Sequence, residues 1–261
     1  MNKTSTLVTI ALMATFNSTA KAQDAGVHGM VVAGVADVPE YEGADRQKVV
    51  PFLIGRINDG NRYLAIEGPT LRANIVDSKW VEFGPQISVT PRRGSHIHSR
   101  AVARLGTIQD AVEVGAFAAI ALSITAKDRI RIAIDGVQDV SGVHKGWLST
   151  ASASFESTVS PRLSLSGDVK VTYASADYAK TYFSVTPAGA LSSGLSPFKA
   201  KSGIKDVGAS VNISYAIDRR WSLFGIGAYR RLVGSTAESP IVKKAGSADQ
   251  FVGGLGIGWS F

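Results

Sequence analysis

The sequence predicts an all-β membrane protein: a transmembrane antiparallel up-and-down β-barrel of about 12 strands, after a cleaved signal peptide. Three observations predict this class. Apolar and polar residues alternate along most of the chain, the first 22 residues are laid out like a secretory signal, and the last eleven residues form an apolar, aromatic strand. The longest apolar run after residue 22, Val114 to Leu122, is too short for a membrane helix, which leaves strands as the means of crossing.

The N-terminal segment is interpreted as a signal peptide. Lys3 lies in a short polar start, an apolar run follows from Leu7 to Phe16, and Ala20-Lys21-Ala22 forms a small-x-small site. Cleavage is expected after Ala22. The predicted domains are therefore residues 1–22, the signal peptide, and residues 23–261, the barrel.

Alternation with a period of two defines the strands. Between residues 112 and 124 apolar side chains occupy one face and Glu113 the other, and comparable patterns cover residues 129–135, 162–173 and 206–217. Several segments reach ten residues or more, the length of a tilted membrane strand. The predicted strands are 27–36, 47–57, 61–76, 79–90, 111–124, 127–138, 146–159, 162–174, 178–186, 204–217, 220–232 and 249–261.

The two faces of these strands predict different surroundings. The aromatic residues Tyr173, Tyr215, Trp221, Trp259 and Phe261 lie near strand ends, where membrane barrels carry aromatic girdles. The polar face predicts a wet lumen. Its candidate lining residues are Glu113, Arg129, Arg131, Asp135, Asp168 and Lys170. They either line an ion-selecting pore or fill a small lumen as paired charges, and the sequence leaves both open.

The predicted connections conflict with the usual rule that short turns and long loops lie at opposite ends of a bacterial barrel. Counting back from the C-terminus places the loops 187–203 and 233–248 correctly. The same count puts the long loop 91–110 at the short-turn end and the turn at Ser160 at the other. Either 178–186 is not a strand, or 61–76 is two strands, or the barrel has an unusual inner loop.

Composition and motifs indicate no enzyme. The chain has no cysteine, and it contains neither a Gly-x-Ser-x-Gly elbow nor a His-Glu-x-x-His helix. His96 and His98 have the spacing of two metal ligands, but a third is not identifiable nearby, so a solvated loop is favoured. We therefore predict no catalytic residue, no metal, no cofactor and no nucleic-acid partner. A barrel hydrolase is the least favoured alternative.

The densest basic cluster is predicted in the loop between residues 91 and 110. It consists of Arg92, Arg93, Arg100 and Arg104. Guanidinium groups pair well with phosphates and carboxylates, so this loop is a candidate contact for lipopolysaccharide or for an acidic periplasmic partner. The alternative is a loop that is charged only to stay solvated.

The final strand carries Leu255, Ile257, Trp259 and Phe261 at alternate positions. This spacing resembles the signal by which the barrel-assembly machinery recognises outer-membrane proteins. We expect these four residues to serve as the assembly signal.

An ordered set of short motifs runs along the chain. It comprises Pro39-Glu40-Tyr41-Glu42-Gly43, Glu67-Gly68-Pro69, Arg104-Leu105-Gly106, Tyr182-Phe183-Ser184-Val185-Thr186, Gly203-Ile204-Lys205-Asp206-Val207-Gly208, Tyr229-Arg230-Arg231-Leu232-Val233-Gly234 and Glu238-Ser239-Pro240-Ile241-Val242. In this order the motifs resemble the MipA/OmpV family of outer-membrane proteins, the MltA-interacting-protein type, from about residue 27 to 261.

The resemblance implies a barrel in the outer membrane of a Gram-negative bacterium, surrounded by lipid and lipopolysaccharide. For the best-known member it implies a scaffold that brings a lytic murein transglycosylase together with a penicillin-binding murein synthase. Other members are described as osmoregulated proteins or adhesins, so a small-solute channel and a surface adhesin remain alternatives. The loop 91–103 departs from the family because it is basic and lacks acidic residues.

Overall fold

The computed structural model describes residues 27–261. The predicted signal peptide, residues 1–22, lies outside the described residues. No helix within residues 27–261 is long and apolar enough to cross a membrane.

Twelve antiparallel strands form a closed barrel in which each strand pairs with its neighbour in sequence, and the first pairs with the last. The predicted fold class is confirmed. The strands are β1 (His28–Pro39), β2 (Gln47–Asp59), β3 (Arg62–Glu67), β4 (Thr70–Asn74), β5 (Val81–Thr90), β6 (Ala111–Ser123), β7 (Asp128–Asp139), β8 (Trp147–Ser160), β9 (Leu163–Ala174), β10 (Gly203–Ala216), β11 (Trp221–Leu232) and β12 (Asp249–Ser260).

Side chains alternate between the two faces of the wall. In β6, for example, Val112, Val114 and Ile120 are exposed on the outside while Glu113 and Phe117 are buried inside. The exposed outer surface is apolar, which suits contact with acyl chains. Its aromatic side chains lie towards both strand ends. One group contains Trp80, Tyr215, Trp221, Trp259 and Phe261, and the other contains Trp147, Tyr173, Tyr229 and Phe251.

Short turns and long loops lie at opposite ends of the barrel. The short connections are 60–61, 75–80, 124–127, 161–162 and 217–220, and this end faces the periplasm in bacterial barrels. The long loops are 40–46, 91–110, 140–146, 175–202 and 233–248. Five short helices lie in these loops: α1 (Arg100–Ala103), α2 (Ala176–Phe183), α3 (Pro187–Ser193), α4 (Gly234–Glu238) and α5 (Pro240–Lys243).

The predicted strand at 178–186 is wrong, because this segment is helix α2. Ser175 caps the helix by accepting a hydrogen bond from the backbone N–H of Tyr178, and Asp177 stands in the first turn. Tyr178 and Tyr182 are four residues apart and therefore lie on one buried face.

The predicted single strand at 61–76 is also wrong, because it forms the hairpin β3–β4. Gly68 adopts a positive φ of 61° at the turn, and Pro69 follows it. One predicted strand is absent and another is two strands, so the predicted number of twelve strands is correct. With both corrected, loop 91–110 joins the long-loop end and the turn after Ser160 joins the short-turn end.

The long loops fold into a cap with its own apolar core. The α2 residues Tyr178, Ala179, Tyr182 and Phe183 pack with Leu232 and Val242. A second cluster joins the loops 40–46, 91–110, 175–202 and 233–248 and contains Tyr41, Ala44, Val102, Val185, Leu195 and Ile241. The cap is thus a packed structure that covers the barrel end.

Closure of the barrel requires a small residue at position 34. A Cβ atom on Gly34 would lie 2.2 Å from the carbonyl oxygen of Leu255 on β12. We therefore expect Gly34→Ala to lower the free energy of unfolding by about 1–3 kcal/mol, the usual range for overpacking. Denaturant titration of the barrel in lipid vesicles measures this change.

Gly253→Ala is the matched control on the same seam, since a Cβ there meets nothing within 4 Å. We expect this variant to unfold at an unchanged or slightly higher denaturant concentration. Equal destabilisation of both variants would contradict the close approach at Gly34.

Candidate functional site

The lumen has an apolar side and a charged side. The apolar side is formed by inward residues of β1, β2 and β11, which pack against one another. These residues are Val32, Ala36, Val38, Val50, Phe52, Ile54, Phe224 and Ile226. The charged side is formed by β3 to β10, where inward positions carry most of the buried carboxylates and guanidinium groups. An enclosed charge is costly unless it is paired, so these groups form networks.

A layer of side chains around Glu82 lies on the inner wall formed by β3 to β7. The Glu82 carboxylate accepts hydrogen bonds from the Tyr63 hydroxyl, from Arg129 and from Arg131, each at 2.9 Å. The Phe117 ring packs beside this network, with the Arg72 guanidinium 4.7 Å from its centroid. We call these residues, Tyr63, Arg72, Glu82, Phe117, Arg129 and Arg131, the central layer.

A cavity of about 230 Å³ lies between the central layer and the loop cap, and we call it the cap cavity. Its lining contains equal numbers of acidic and basic residues. The acidic ones are Glu40, Glu42, Glu67, Glu113, Asp135 and Asp206, and the basic ones are Arg72, Arg92, Arg93, Lys170, Lys205 and Arg230. The cavity is therefore polar but balanced in charge, which favours a net-neutral occupant.

One ion-pair network in the cap cavity is centred on Glu42. Its carboxylate binds the Lys205 ammonium, lies 3.3 Å from the Arg230 guanidinium, and accepts a 2.9 Å hydrogen bond from the Tyr178 hydroxyl. Lys205 also pairs with Asp206 at 2.6 Å. A bulge in β10 between Ile204 and Asp206 turns both Lys205 and Asp206 inward. The network thereby ties the loop 40–46 and helix α2 to the barrel wall.

A second network joins the cap to β6. The Glu113 carboxylate accepts a hydrogen bond from the Thr90 hydroxyl at 2.9 Å and lies 3.0 Å from Nε2 of the buried His144. The His144 ring contacts Tyr178 edge-on at 5.0 Å between centroids. Burial raises the pKa of Tyr178 and of Tyr182 above the ordinary tyrosine value, so both phenols stay neutral donors at physiological pH.

Below the central layer, a wider cavity of about 1090 Å³ opens towards the short turns, and we call it the vestibule. Arg56 and Glu156 lie on its wall, and Arg162, Arg219 and Arg220 surround its mouth. Basic groups outnumber acidic ones in this lining, so the vestibule attracts anionic groups. The two cavities lie on opposite sides of the central layer.

The six predicted lumen residues all lie on the inner face, in separate groups. Arg129 and Arg131 belong to the central layer, whereas Glu113 contacts His144 beneath the cap. Asp135 lies 4.0 Å from Arg72, and Asp168 accepts a hydrogen bond from the Ser210 hydroxyl. Lys170 lines the cap cavity. Arg129, Arg131 and Asp135 thus each lie beside an opposite charge and Glu113 lies beside His144, while the choice between a pore lining and a filled lumen stays a prediction.

The structure does not bring the four arginines of loop 91–110 into one cluster. Arg93 is only 6% exposed and donates a 3.2 Å hydrogen bond to the carbonyl oxygen of Tyr182. Burial also lowers its pKa. Arg92 pairs with Asp110 at 3.8 Å, while Arg100 and Arg104 are exposed on α1 and just after it.

His96 and His98 are exposed on the same loop, and His98 lies 3.4 Å from Glu40. Within the described residues, no group of three or more His, Cys, Asp or Glu side chains is placed to hold a metal ion. The predicted assembly-signal residues Leu255, Ile257, Trp259 and Phe261 are exposed on the outer face.

Several site residues were not predicted from the sequence. Glu82 and Arg72 alternate with exposed apolar neighbours, so the period-two pattern that identified Glu113 also marks them. Glu42 lies in the motif Pro39 to Gly43, which contributed to the family resemblance but predicted no site residue. Lys205 points inward because of the bulge, and no local sequence signal indicates it.

The Glu42 network predicts a large loss of stability when Lys205 is removed. Lys205 is 4% exposed, and Lys205→Ala leaves the carboxylates of Glu42 and Asp206 buried without their main partner. Breaking a buried pair costs about 3–5 kcal/mol. We expect this loss in the free energy of unfolding, measured by denaturant titration in vesicles.

Lys243→Ala is the control, because Lys243 pairs with Glu238 on the exposed surface. An exposed pair contributes only about 0–1 kcal/mol. A Lys205→Ala barrel as stable as Lys243→Ala would contradict the structural importance of the Glu42 network.

Comparison with known proteins agrees with this architecture. Among solved structures, an outer-membrane channel from Pseudomonas putida has a TM-score of 0.51 at 11% identity, over 95% of this chain and 100% of that chain. The outer-membrane channel DcaP of Acinetobacter baumannii has a TM-score of 0.43 at 12% identity, over 95% of this chain and 100% of that chain. At 11% identity the likeness to the Pseudomonas putida channel concerns the fold alone. No curated protein matches the chain.

The family comparison covers nearly the whole described chain. The model described as "MltA-interacting protein MipA" matches residues 31–261. These residues include strands β2 to β12, β1 from Val31 onward, the cap and the whole lining of the cap cavity. The chain therefore belongs to the MipA family and is an outer-membrane-type β-barrel protein.

Proposed function

We propose that this protein resides in the outer membrane of a Gram-negative bacterium and acts as a docking scaffold for murein enzymes. The proposed partners are a lytic murein transglycosylase and a penicillin-binding murein synthase. The barrel itself performs no catalysis; it is inserted by the barrel-assembly machinery and surrounded by lipid and lipopolysaccharide. Membership of a family described as MltA-interacting supports this role.

The observation that carries the proposal is the covered barrel end. A solute entering from the long-loop end meets the folded cap and then, on the wall from β3 to β7, the layer in which Glu82 binds Arg129 and Arg131. A general porin needs an open aqueous passage. A blocked barrel instead presents its surface as the functional part, which favours binding over conduction.

The proposed docking face is the basic side of the short-turn end. Arg162 lies on the turn beside the one that carries Arg219 and Arg220, since β9 and β10 are neighbours. The Asp218 carboxylate accepts hydrogen bonds from the backbone N–H groups of Arg220 and Trp221, which lowers the pKa of Asp218 and fixes the turn. An ordered basic surface at this end suits an acidic periplasmic partner.

Charge reversal of this face tests the docking proposal. We expect the triple variant Arg162→Glu, Arg219→Glu, Arg220→Glu to lose most of its capture of murein enzymes, because attraction becomes repulsion. The measurement is affinity purification of the tagged barrel from solubilised envelopes after cross-linking in intact cells, with quantitative mass spectrometry of the captured proteins.

The matched control reverses Arg62 and Lys79, which lie on other turns of the same end. We expect this variant to capture the enzymes as the wild type does. Recovery of no murein enzyme with the wild type would contradict the scaffold proposal. Unchanged capture by the triple variant would contradict this docking face.

A small-solute channel is the second candidate, and the two cavities favour it. Side chains, including those of the central layer, lie between the cap cavity and the vestibule, and side chains change rotamer more easily than a folded plug moves. Displacement of these side chains would join the two cavities into one passage.

Ion conductance distinguishes the two candidates. The scaffold proposal predicts that the wild-type barrel passes no steady current in planar bilayers. It also predicts that Phe117→Ala, which removes the ring at the centre of the layer, raises the conductance. Phe155→Ala on the lipid-facing surface is the control and should stay silent. Steady wild-type conductance would contradict a closed lumen and favour the channel.

A further inference from the structure

The barrel wall is incomplete at one place near the long-loop end. β3 and β4 have six and five residues, whereas β2 has thirteen and β5 has ten. β3 pairs with β2 only from Ile54 to Asp59, so among the described residues no strand lies on that side of β2 at residues 47–52. On the other flank the hairpin reaches almost to the end of β5, because Leu71 and Arg72 pair with Ile87 and Gln86 and the backbone N–H of Val89 donates a 3.2 Å hydrogen bond to the carbonyl oxygen of Pro69.

The gap has the size of a molecular entrance. β2 and β5 are separated by two strands, so their axes at this height are about 14 Å apart, at about 4.8 Å for each strand spacing. Residues 47–52 span about 20 Å along β2, at about 3.3 Å for each residue. We call this gap the window. The hairpin turn at Gly68 and Pro69 forms its lower border.

The backbone groups at the edge of β2 are those of a strand that has no neighbour on this side. The carbonyl oxygen of Leu53 accepts the last hydrogen bond on this side, from Gly68 at 3.2 Å. Groups two residues apart point to the same edge, so the nitrogen of Pro51 also faces the window. Proline has no N–H group and is suited to an edge that is not paired. Pro51 therefore has no backbone N–H donor that would lack a hydrogen-bond partner in hydrocarbon.

The window connects with the cap cavity. The cavity lining includes Pro69 and Thr70 at the hairpin turn, and Ser88, Val89 and Thr90 at the end of β5. The loop 91–110 crosses above the window, where the backbone N–H of His98 donates a 2.9 Å hydrogen bond to Glu40. The window is therefore closed at the top by this loop, bordered by β2 on one side and by the end of β5 on the other, and lies beside the cavity.

The surroundings change from apolar to polar along this path. Outside the window, the exposed side chains are Val49, Leu53, Leu71 and Ile87, which suit acyl chains. The inner face of β2 beside it is also apolar, with Val50 and Phe52.

Further inside, the cavity is charged but balanced. Tyr182 belongs to its lining; this side chain is 6% exposed, and its buried hydroxyl has no hydrogen-bond partner among the described residues. A buried donor of this kind requires an acceptor.

We propose that the window admits the hydrocarbon chain of a single-chain membrane amphiphile whose net-neutral, zwitterionic head occupies the cap cavity. The chain lies between β2 and β5 in contact with the acyl region of the bilayer. The head places an anionic acceptor near Tyr182 and its cationic part near the carboxylates. This binding site is independent of the docking face at the short turns, so either proposal stands if the other fails.

The first test measures whether acyl chains reach the window. The chain has no cysteine, so single-cysteine variants carry one bimane label each. The barrel is placed in phosphatidylcholine vesicles with dibrominated acyl chains, which quench bimane on contact. We expect a label at Ser88→Cys, which lies beside Thr70 at the lower border of the window, to be quenched as strongly as one at the lipid-facing Val114→Cys. A label at Thr150→Cys, which lines the cavity on β8, should keep its fluorescence.

The second test measures binding of the head group. A single-chain phosphocholine that carries a photoreactive diazirine beside its head is added to vesicles that contain the full barrel. We expect cross-links to the segments 39–42 and 88–93. Ser88→Trp, which narrows the window, should abolish them, while the same change on the outer face of β8, Ser149→Trp, should preserve them. Heat-modifiable gel mobility verifies that each variant is folded.

Three results would overturn the proposal. One is an unquenched label at Ser88→Cys. Another is cross-linking confined to outward-facing residues of the wall. The third is unchanged cross-linking in folded Ser88→Trp. Occupation of the β2 edge by a strand from another polypeptide would appear as the first result together with a protein cross-link at residues 47–52.

Discussion

The hydrogen bonds between β1 and β12 are the constraint on which the rest of the structure depends. They run from the pair Met30 and Ser260 to the pair Asp37 and Gly253 and close the wall. An unpaired backbone group in hydrocarbon costs several kcal/mol, so a sheet with free edges has no stable place in a membrane. Closure in turn defines an inside and an outside for every strand. The alternation of apolar and polar residues matches this division, with apolar side chains on the outside and mostly polar ones on the inside.

The inside of the barrel has a charged side and an apolar side. Charges on neighbouring strands of the charged side pair along the inner wall, as Glu82 on β5 does with Arg129 and Arg131 on β7, while the inward residues of β1, β2 and β11 are apolar and pack together. Removal of one partner would leave the other charge buried and unpaired, which is energetically costly. Such networks therefore hold the loops and the wall in one arrangement. The cap and the central layer therefore form one connected structure, in which Glu42 and Glu113 join the loops to the strands. A barrel of this kind has its accessible chemistry at the window and at the short-turn end.

The features predicted from the sequence were those with a local signal. Alternation is read within ten residues, so the fold class, most strands and the inward position of Glu113 and Asp168 follow from it. Helix α2 was missed although Ser175 and the spacing of Tyr178 and Tyr182 indicate it, because β-prone residues such as Phe183 and Val185 also occur there. The pair of Glu42 and Lys205 joins residues 163 apart in the chain, and only the folded topology brings them together.

Hydrogen–deuterium exchange of backbone amides in lipid vesicles tests most directly whether the wall is closed everywhere except at the window. In a closed wall, amides of β1 and β12 along the seam, such as those of residues 31–36 and 254–259, exchange as slowly as those of the central strands β7 and β8. Amides that face the unpaired edge of β2, such as that of Val49, exchange much faster. Fast exchange along the seam would contradict the closed barrel, and equally slow exchange at residues 47–52 would contradict the window.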